Sequence, residues 1–277
     1  MSERGDDMTR VTPEWLALRE PADAAARAVD LVEPVRRRLA GRSQLVIHDF
    51  GSGTGSMGRW LAPRLPGPQH WVLHDRDGDL LDHAKAEMAD TAVDGAAVTV
   101  ETRQSDITRL TADELGDAHL ITTSALLDML TADEIERVVA ACATVGCPIL
   151  LTISVIGRAE LTPADPLDAE IVAAFNAHQR RTTGGRRLLG PDAVDATVDA
   201  FRRRGATVLI RPSPWRLGAD QTELISEWFT GWLAAACEQR PDLVGPARTY
   251  AARRRADLAG GRLGVVVQHT DLLVDSE

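Results

Sequence analysis

The sequence has 277 residues, enough for one large α/β domain and few for two separate cores, because single cores stop growing at about 250 to 300 residues. Lys and Arg total 31 against 41 Asp and Glu, a formal charge of -10, which disfavours a broad polyanion-binding surface and with it nonspecific nucleic-acid binding. Hydrophobic residues make up 44% and charged residues 26%, a globular balance, and the apolar runs fall far short of the ~20 residues of a membrane span.

Met1 to Arg10 are polar and acidic with no apolar segment, so they read as a frayed tail rather than a secretory signal, and the chain is expected to be cytoplasmic. Thr12-Pro13-Glu14 looks like an N-cap with proline at the first helical position, and Ala22 to Ala40 continues Ala- and Arg-rich to Gly41. Pro34 should break or kink that second helix. Residues 1–44 are thus predicted to be an N-terminal helical cap, and 45–277 the main domain.

From residue 45 onward β-branched and apolar runs alternate with amphipathic segments, the pattern of crossover helices over a mostly parallel sheet. The strands are predicted at Leu45 to Phe50, His70 to His74, Val98 to Thr102, His119 to Thr123, Ile149 to Val155, Thr207 to Ile210 and Leu263 to Gln268. Thr111 with Glu114, and Thr131 with Glu134, have capping-box spacing and mark two helix starts. Arg158 to Pro191 is long for a connection and holds its own helical pattern from about Pro166 to Arg180, followed by Thr182-Thr183-Gly184-Gly185, so it should cover something. Asp220 to Gly260 reads as two helices separated near Pro241 to Pro246. Both segments, 158–191 and 220–260, are predicted lids. Cys142, Cys147 and Cys237 form no CxxC pair and read as buried thiols.

Leu45-Val46-Ile47-His48-Asp49-Phe50-Gly51-Ser52-Gly53-Thr54-Gly55 is a buried-type strand entering a glycine turn before a helix. Glycines let the backbone approach a ligand, and the helix start presents free amides. Gly53, Gly55 and Gly58 also satisfy the dinucleotide fingerprint G-x-G-x-x-G, which leaves a nicotinamide cofactor as an alternative. Asp49 would oppose a diphosphate, and Gly53 stands two residues beyond Gly51 where a pyrophosphate turn wants its first glycine at the strand end. An amino-acid-bearing adenosine, with an ammonium and no phosphate, fits the acid better.

The run from Asp49 through Gly55 resembles the first motif of the class I S-adenosylmethionine-dependent methyltransferases, and the likeness extends in order over about residues 45 to 156. It implies a Rossmann-like α/β fold, a seven-stranded mostly parallel sheet with helices on both faces and the last strand antiparallel, plus the helical lids. Asp49, Gly51, Ser52, Gly53, Thr54 and Gly55 would form the cofactor turn. Asp75, with Arg76 beside it, resembles the acid after the second strand that takes both ribose hydroxyls. Asp106 would accept from the adenine amine and Ile107 would pack on its ring. Thr123, Ser124 and Ala125 would lie beside the methionine end and the transferring methyl.

Methyl transfer from a sulfonium needs alignment and exclusion of water, and a base where the acceptor keeps its proton. His178 is the first candidate, because Ile171, Phe175 and His178 share a helical face at i, i+4 and i+7; its plain alternative is a hydrogen-bonded histidine on a packed face. Asp128, just beyond the fourth strand, is the second, and could instead support the helix starting near Thr131. His269 is set aside because the far end of an antiparallel last strand points away from the cofactor edge. Arg180, Arg181, Arg186 and Arg187 could clamp an anion but read as solvated charge, and Trp228 with Trp232 reads as core packing.

These residues predict a methyltransferase acting on oxygen or nitrogen of a small-molecule acceptor, natural products included, with no metal, nucleic acid or membrane partner, as a monomer or homodimer. The rivals are an NAD(P)-dependent oxidoreductase using Gly53, Gly55, Gly58 and Asp75, and a non-catalytic methyltransferase-like subunit with the Trp228 to Trp232 face as its interface.

Overall fold

The computed structural model describes residues 11–275; the tail expected before Val11 lies outside them. Ten strands were assigned among these residues: β1 (Leu45–Phe50), β2 (Gln69–Asp75), β3 (Val98–Gln104), β4 (Leu120–Ser124), β5 (Ile149–Thr162), β6 (Thr182–Thr183), β7 (Arg186–Arg187), β8 (Thr207–Pro212), β9 (Trp215–Leu217) and β10 (Gly264–Asp275). The main sheet has the order β3-β2-β1-β4-β5-β10-β8, with β9 also on β10. Strands β1 to β5 pair in parallel, and β10 is antiparallel to all its neighbours. β1 alternates through Ile47 and Phe50 into opposite cores, as a central parallel strand buried on both faces must.

The helices are α1 (Pro13–Ala26), α2 (Val32–Leu39), α3 (Ser56–Leu61), α4 (Gly78–Glu87), α5 (Ala132–Val145), α6 (Asp168–Gln179), α7 (Ala193–Arg202), α8 (Thr222–Gln239) and α9 (Val244–Ala259). On one face of the sheet Ile47, Trp71 and Leu73 meet Val35, Leu61 and Ala84. On the other, Ile121 and Ile149 meet Ile135, Val139 and Phe201. A third cluster joins Trp215 and Val265 to Ile171, Phe229 and Tyr250 of the two inserted segments. None of the described helices is long and apolar enough to cross a membrane.

Four expectations need correction. The sheet has eight strands rather than seven, because β9 continues the edge of β8 along β10: Thr270 to Asp275 pair with β8 and Val265 to Val267 with β9. The N-terminal segment breaks at Arg27 and Ala28, where the Ala28 amide donates to Asp271 Oδ2 at 2.8 Å instead of continuing a helix. Pro34 lies harmlessly in the first turn of α2, where its missing N–H has no helical partner to lose. Thr131 and Glu134 do form a capping box at α5, but Thr111 and Glu114 close only a 3-10 turn, Asp113–Leu115, before β4 begins.

β5 also runs to Thr162, well past Val155, and β10 to Asp275. Between Val155 and Ala159 four steps of β5 oppose two of β10, from His269 to Val267. This bulge, with Gly157 at φ +71, re-aims the strand where the third cluster begins.

Candidate active site

The turn after β1 is shaped by Gly51, Gly53 and Gly55 at φ +61, +53 and +84, a region that residues with a Cβ rarely enter. A Cβ on Gly51 would stand 2.9 Å from Leu126 Cδ1, so the backbone passes close to the end of β4. Gly53 N–H donates to Asp75 Oδ2 at 2.9 Å and Ser52 N–H to the His74 carbonyl at 3.0 Å, which ties the turn to the end of β2. Above it lies a cavity of about 400 Å³ at the carboxyl ends of the parallel strands, the place where open α/β sheets hold ligands.

Asp49 ends β1 with 1% exposure. Its Oδ1 accepts from Thr122 Oγ1 at 2.7 Å, and its Oδ2 has no partner although buried. Burial pushes its carboxyl up to about 7, against the pull of the Thr122 hydroxyl and the Arg27 guanidinium. Arg27 is itself buried and donates to Ser56 and Ser124 hydroxyls at 3.2 and 3.1 Å. Nothing in the Ala-rich stretch around it signals that role in the sequence.

Of the residues expected at the cofactor, Asp49, Gly51, Ser52, Gly53, Thr54, Asp75, Arg76, Ile107 and Ser124 line this cavity together. Gly55 caps α3 just behind it, and Thr123 donates beneath the turn to the Phe50 carbonyl at 2.8 Å. Asp106 is not on the wall. Its Oδ1 accepts from the Thr108 amide and hydroxyl and meets Arg76 at 2.7 Å. Burial would raise its carboxyl, but these partners outweigh that and hold it at about 2. These bonds to Oδ1 fix the turn between Ser105 and Ile107, both of which line the cavity.

Ser105, which the sequence reading passed over, does line the cavity. Behind it runs a chain of hydrogen bonds: Ser105 Oγ to His74 Nδ1 at 3.0 Å, His74 Nε2 to His48 Nδ1 at 3.0 Å, and His48 Nε2 to Asp117 Oδ1 at 3.1 Å. Both imidazoles are wholly buried, and burial holds His74 down at about 4.

A second cavity, about 140 Å³, adjoins the first, and Trp15, Arg19, Ala125 and Asp128 line both. Asp128 therefore stands at the junction. The protein around it desolvates its carboxyl and raises it to about 6, while Gln179 Nε2 donates to its Oδ2 at 3.3 Å. Ala125 at φ +53 and Ile153 at φ +54, which line the second cavity, are strained residues. Asp271 holds the latter, accepting the Ile153 amide at 2.7 Å.

His178 lines neither cavity. It sits in the last turn of α6, where its Nε2 lies 3.4 Å from Glu238 of α8, so the helical face that seats Phe175 on the second cavity turns His178 away from it. His269, by contrast, lines the second cavity: because β10 extends to Asp275, it lies in mid-strand opposite Val155 rather than at a far end. Trp228 and Trp232 stack at 5.1 Å and also line this cavity, and Arg186 reaches Glu134 at 2.7 Å beside the first.

Residues 47–148 match a family model described as a methyltransferase domain. That segment carries the signature of a methyltransferase domain. The segment spans β1 to the start of β5 and so carries every strand end around the first cavity. In fold, the whole chain is similar to a cyclopropane synthase from Mycobacterium tuberculosis, with TM-score 0.50 and 13% identity over 98% of this chain and 100% of that one. It is also similar to an S-adenosylmethionine-dependent methyltransferase from Geobacter sulfurreducens solved with S-adenosyl-L-homocysteine, with TM-score 0.44 and 15% identity over 96% of this chain and 99% of that one. No curated protein matches the sequence of the chain.

Proposed function

We propose that this methyltransferase transfers the methyl group of S-adenosylmethionine to an oxygen or nitrogen atom of a small diffusible acceptor in the cytoplasm. The observation that carries the reading is the junction of two cavities at Asp128, one built on the glycine turn and the other under the inserted helices. The first cavity fits the cofactor. Its volume is in the range of ligand pockets, and the unpartnered Asp49 Oδ2 and Ser52 Oγ are buried polar atoms in need of hydrogen-bond partners.

Asp49 would hold the ammonium of the amino-acid end, Asp75 the ribose hydroxyls, and Ile107 with Leu80 would pack on the adenine. Bound there, the cofactor supplies an electrophilic methyl on a sulfonium whose sulfur leaves as a neutral thioether. The protein contributes alignment and a dry site, to which α1 adds Trp15 and Leu16 as a roof. Asp128, beside the strand end where the methyl would point, would take the acceptor's proton; its raised carboxyl lies close to neutral pH, as suits a base. The segments 1–44, 158–191 and 220–260 would act as the cap and lids around the acceptor.

Two features disfavour the rivals. Gly53 N–H is already given to Asp75, and two carboxylates bracket the turn, so a diphosphate would meet charge of its own sign. The Trp228–Trp232 stack lines an internal cavity, which does not support its use as an interface. A thermal shift decides among them: stabilisation by S-adenosylhomocysteine and not by NADH supports the proposal, the reverse favours an oxidoreductase, and no shift with either favours a subunit without catalysis.

A further inference from the structure

The second cavity carries an inference about the acceptor itself, one that rests on the methyltransferase reading of the first cavity and narrows it. We propose that the second cavity is the acceptor subsite and takes a single aromatic ring carrying a hydroxyl, with His269 donating to the hydroxyl oxygen, Gln179 holding Asp128, and Asp128 as the group that receives the hydroxyl proton.

Shape gives the ring. Trp228 and Trp232 lie nearly parallel, 17° apart, Phe175 leans on Trp232 at 6.5 Å, and Trp215 lines the cavity with them. Aromatic faces and edges reward another aromatic ring beyond the area buried. The volume of about 140 Å³ suits one ring, since apolar cavities of ~150 Å³ in other proteins hold benzene.

Hydrogen bonding gives the substituent. His269 is 3% exposed, and its Nδ1 finds no partner; Gln179 Oε1 is likewise buried and unpartnered. The cavity that Trp15, Phe175, Trp215, Trp228 and Trp232 line also carries these two polar residues, and a buried polar atom left without a partner is costly. A single hydroxyl has one proton, given to Asp128, while its oxygen accepts from the neutral imidazole of His269 in the Nδ1–H form. Gln179 also donates to Asp128, so its free oxygen and the Asp128 carboxylate lie together where the two cavities meet.

A hydroxyl at that edge of the ring faces the methyl-donor end of the first cavity. Its oxygen lone pair forms the carbon–oxygen bond as the carbon–sulfur bond breaks and leaves its electron pair on sulfur. The hydroxyl proton passes to the Asp128 carboxylate and from there to water. The products are a methyl aryl ether and the thioether nucleoside, with no oxidant or reductant required.

The test uses the full chain saturated with S-adenosylhomocysteine and follows tryptophan fluorescence and heat on titration with phenol, toluene and cyclohexanol. Phenol is expected to bind at least tenfold more tightly than cyclohexanol and severalfold more tightly than toluene. Trp228→Leu should weaken phenol by about tenfold. His269→Phe should erase the preference of phenol over toluene while the melting shift with S-adenosylhomocysteine stays as in the parent.

Equal affinity for phenol and cyclohexanol in the nucleoside-bound protein overturns the proposal and leaves the methyltransferase reading standing. So does a His269→Phe protein that keeps the phenol preference. A chain that fails to bind S-adenosylhomocysteine at all overturns both.

Discussion

On the proposed function, Asp49 makes cofactor binding a proton-linked event. Burial holds its carboxyl at about 7, with Oδ2 unpartnered, so near neutral pH it is only partly ionised. An ammonium group placed against it needs the carboxylate, and binding must then expel the remaining proton. At pH 8 about nine-tenths of the carboxyl is ionised and at pH 6 about one-tenth, so affinity for S-adenosylhomocysteine should fall roughly tenfold between them, about 1.4 kcal/mol. The direction follows from the raised value: ionisation costs free energy below pH 7 and is already complete well above it. Calorimetry in buffers of different protonation enthalpy should show about half a proton released per ligand at pH 7. Asp49→Asn provides the control, because any pH dependence it keeps belongs to the ligand or to other groups. Parallel affinity profiles for the parent and Asp49→Asn between pH 6 and 8 would refute the reasoning.

Other outcomes follow from the same geometry. Asp128→Asn should lower kcat by ~10² or more while the affinity for S-adenosylhomocysteine changes less than twofold, measured by product formation and calorimetry on one preparation; unchanged turnover removes Asp128 as the base. Asp271→Ala strips the buried Ile153 and Ala28 amides and the Ser213 hydroxyl of their acceptor and should cost about 3 kcal/mol in urea unfolding at pH 7.5. His74, held at about 4 by burial and by its neighbour His48, should cost about 2 kcal/mol of stability between pH 7.5 and pH 5. The sign is that of a depressed imidazole: the unfolded chain takes up protons through pH 6.5 while the native one resists until about 4, so stability falls with acidification. His74→Gln should flatten that part of the profile, and an unchanged slope in the variant would show that His74 binds protons alike in the native and unfolded chains.

What could be read from the chain in advance was its local chemistry. β1 and its turn announce themselves because a buried strand, an acid and three glycines occupy consecutive residues, and Asp75 follows at the next strand end. The capping box at Thr131 is equally local. What escaped was long-range. Arg27 serves the site only because Ser124, 97 residues away, comes to meet it. For His269 the sequence points the wrong way: a last strand ending at Gln268 and running antiparallel aims its far end from the cofactor edge, whereas β10 continues to Asp275 along the bulged β5 and so holds the histidine in mid-strand on the second cavity. His178 shows the converse, since helical spacing names a face and the partner packed on that face, here Glu238, decides what each position touches.

The histidine chain behind Ser105 fixes a polarity. A carboxylate can only accept, so Asp117 takes the proton of His48 Nε2, which leaves His48 Nδ1 to accept from His74 Nε2 and His74 Nδ1 to accept from the serine hydroxyl. Every hydrogen in the row points toward Asp117, and the oxygen of Ser105 turns only lone pairs to the cleft. Should the adenine of the proposed cofactor lie on this part of the wall, discrimination among purine edges would begin outside the pocket, on a carboxylate that the nucleoside does not touch: an exocyclic amine would be welcomed and a keto oxygen repelled.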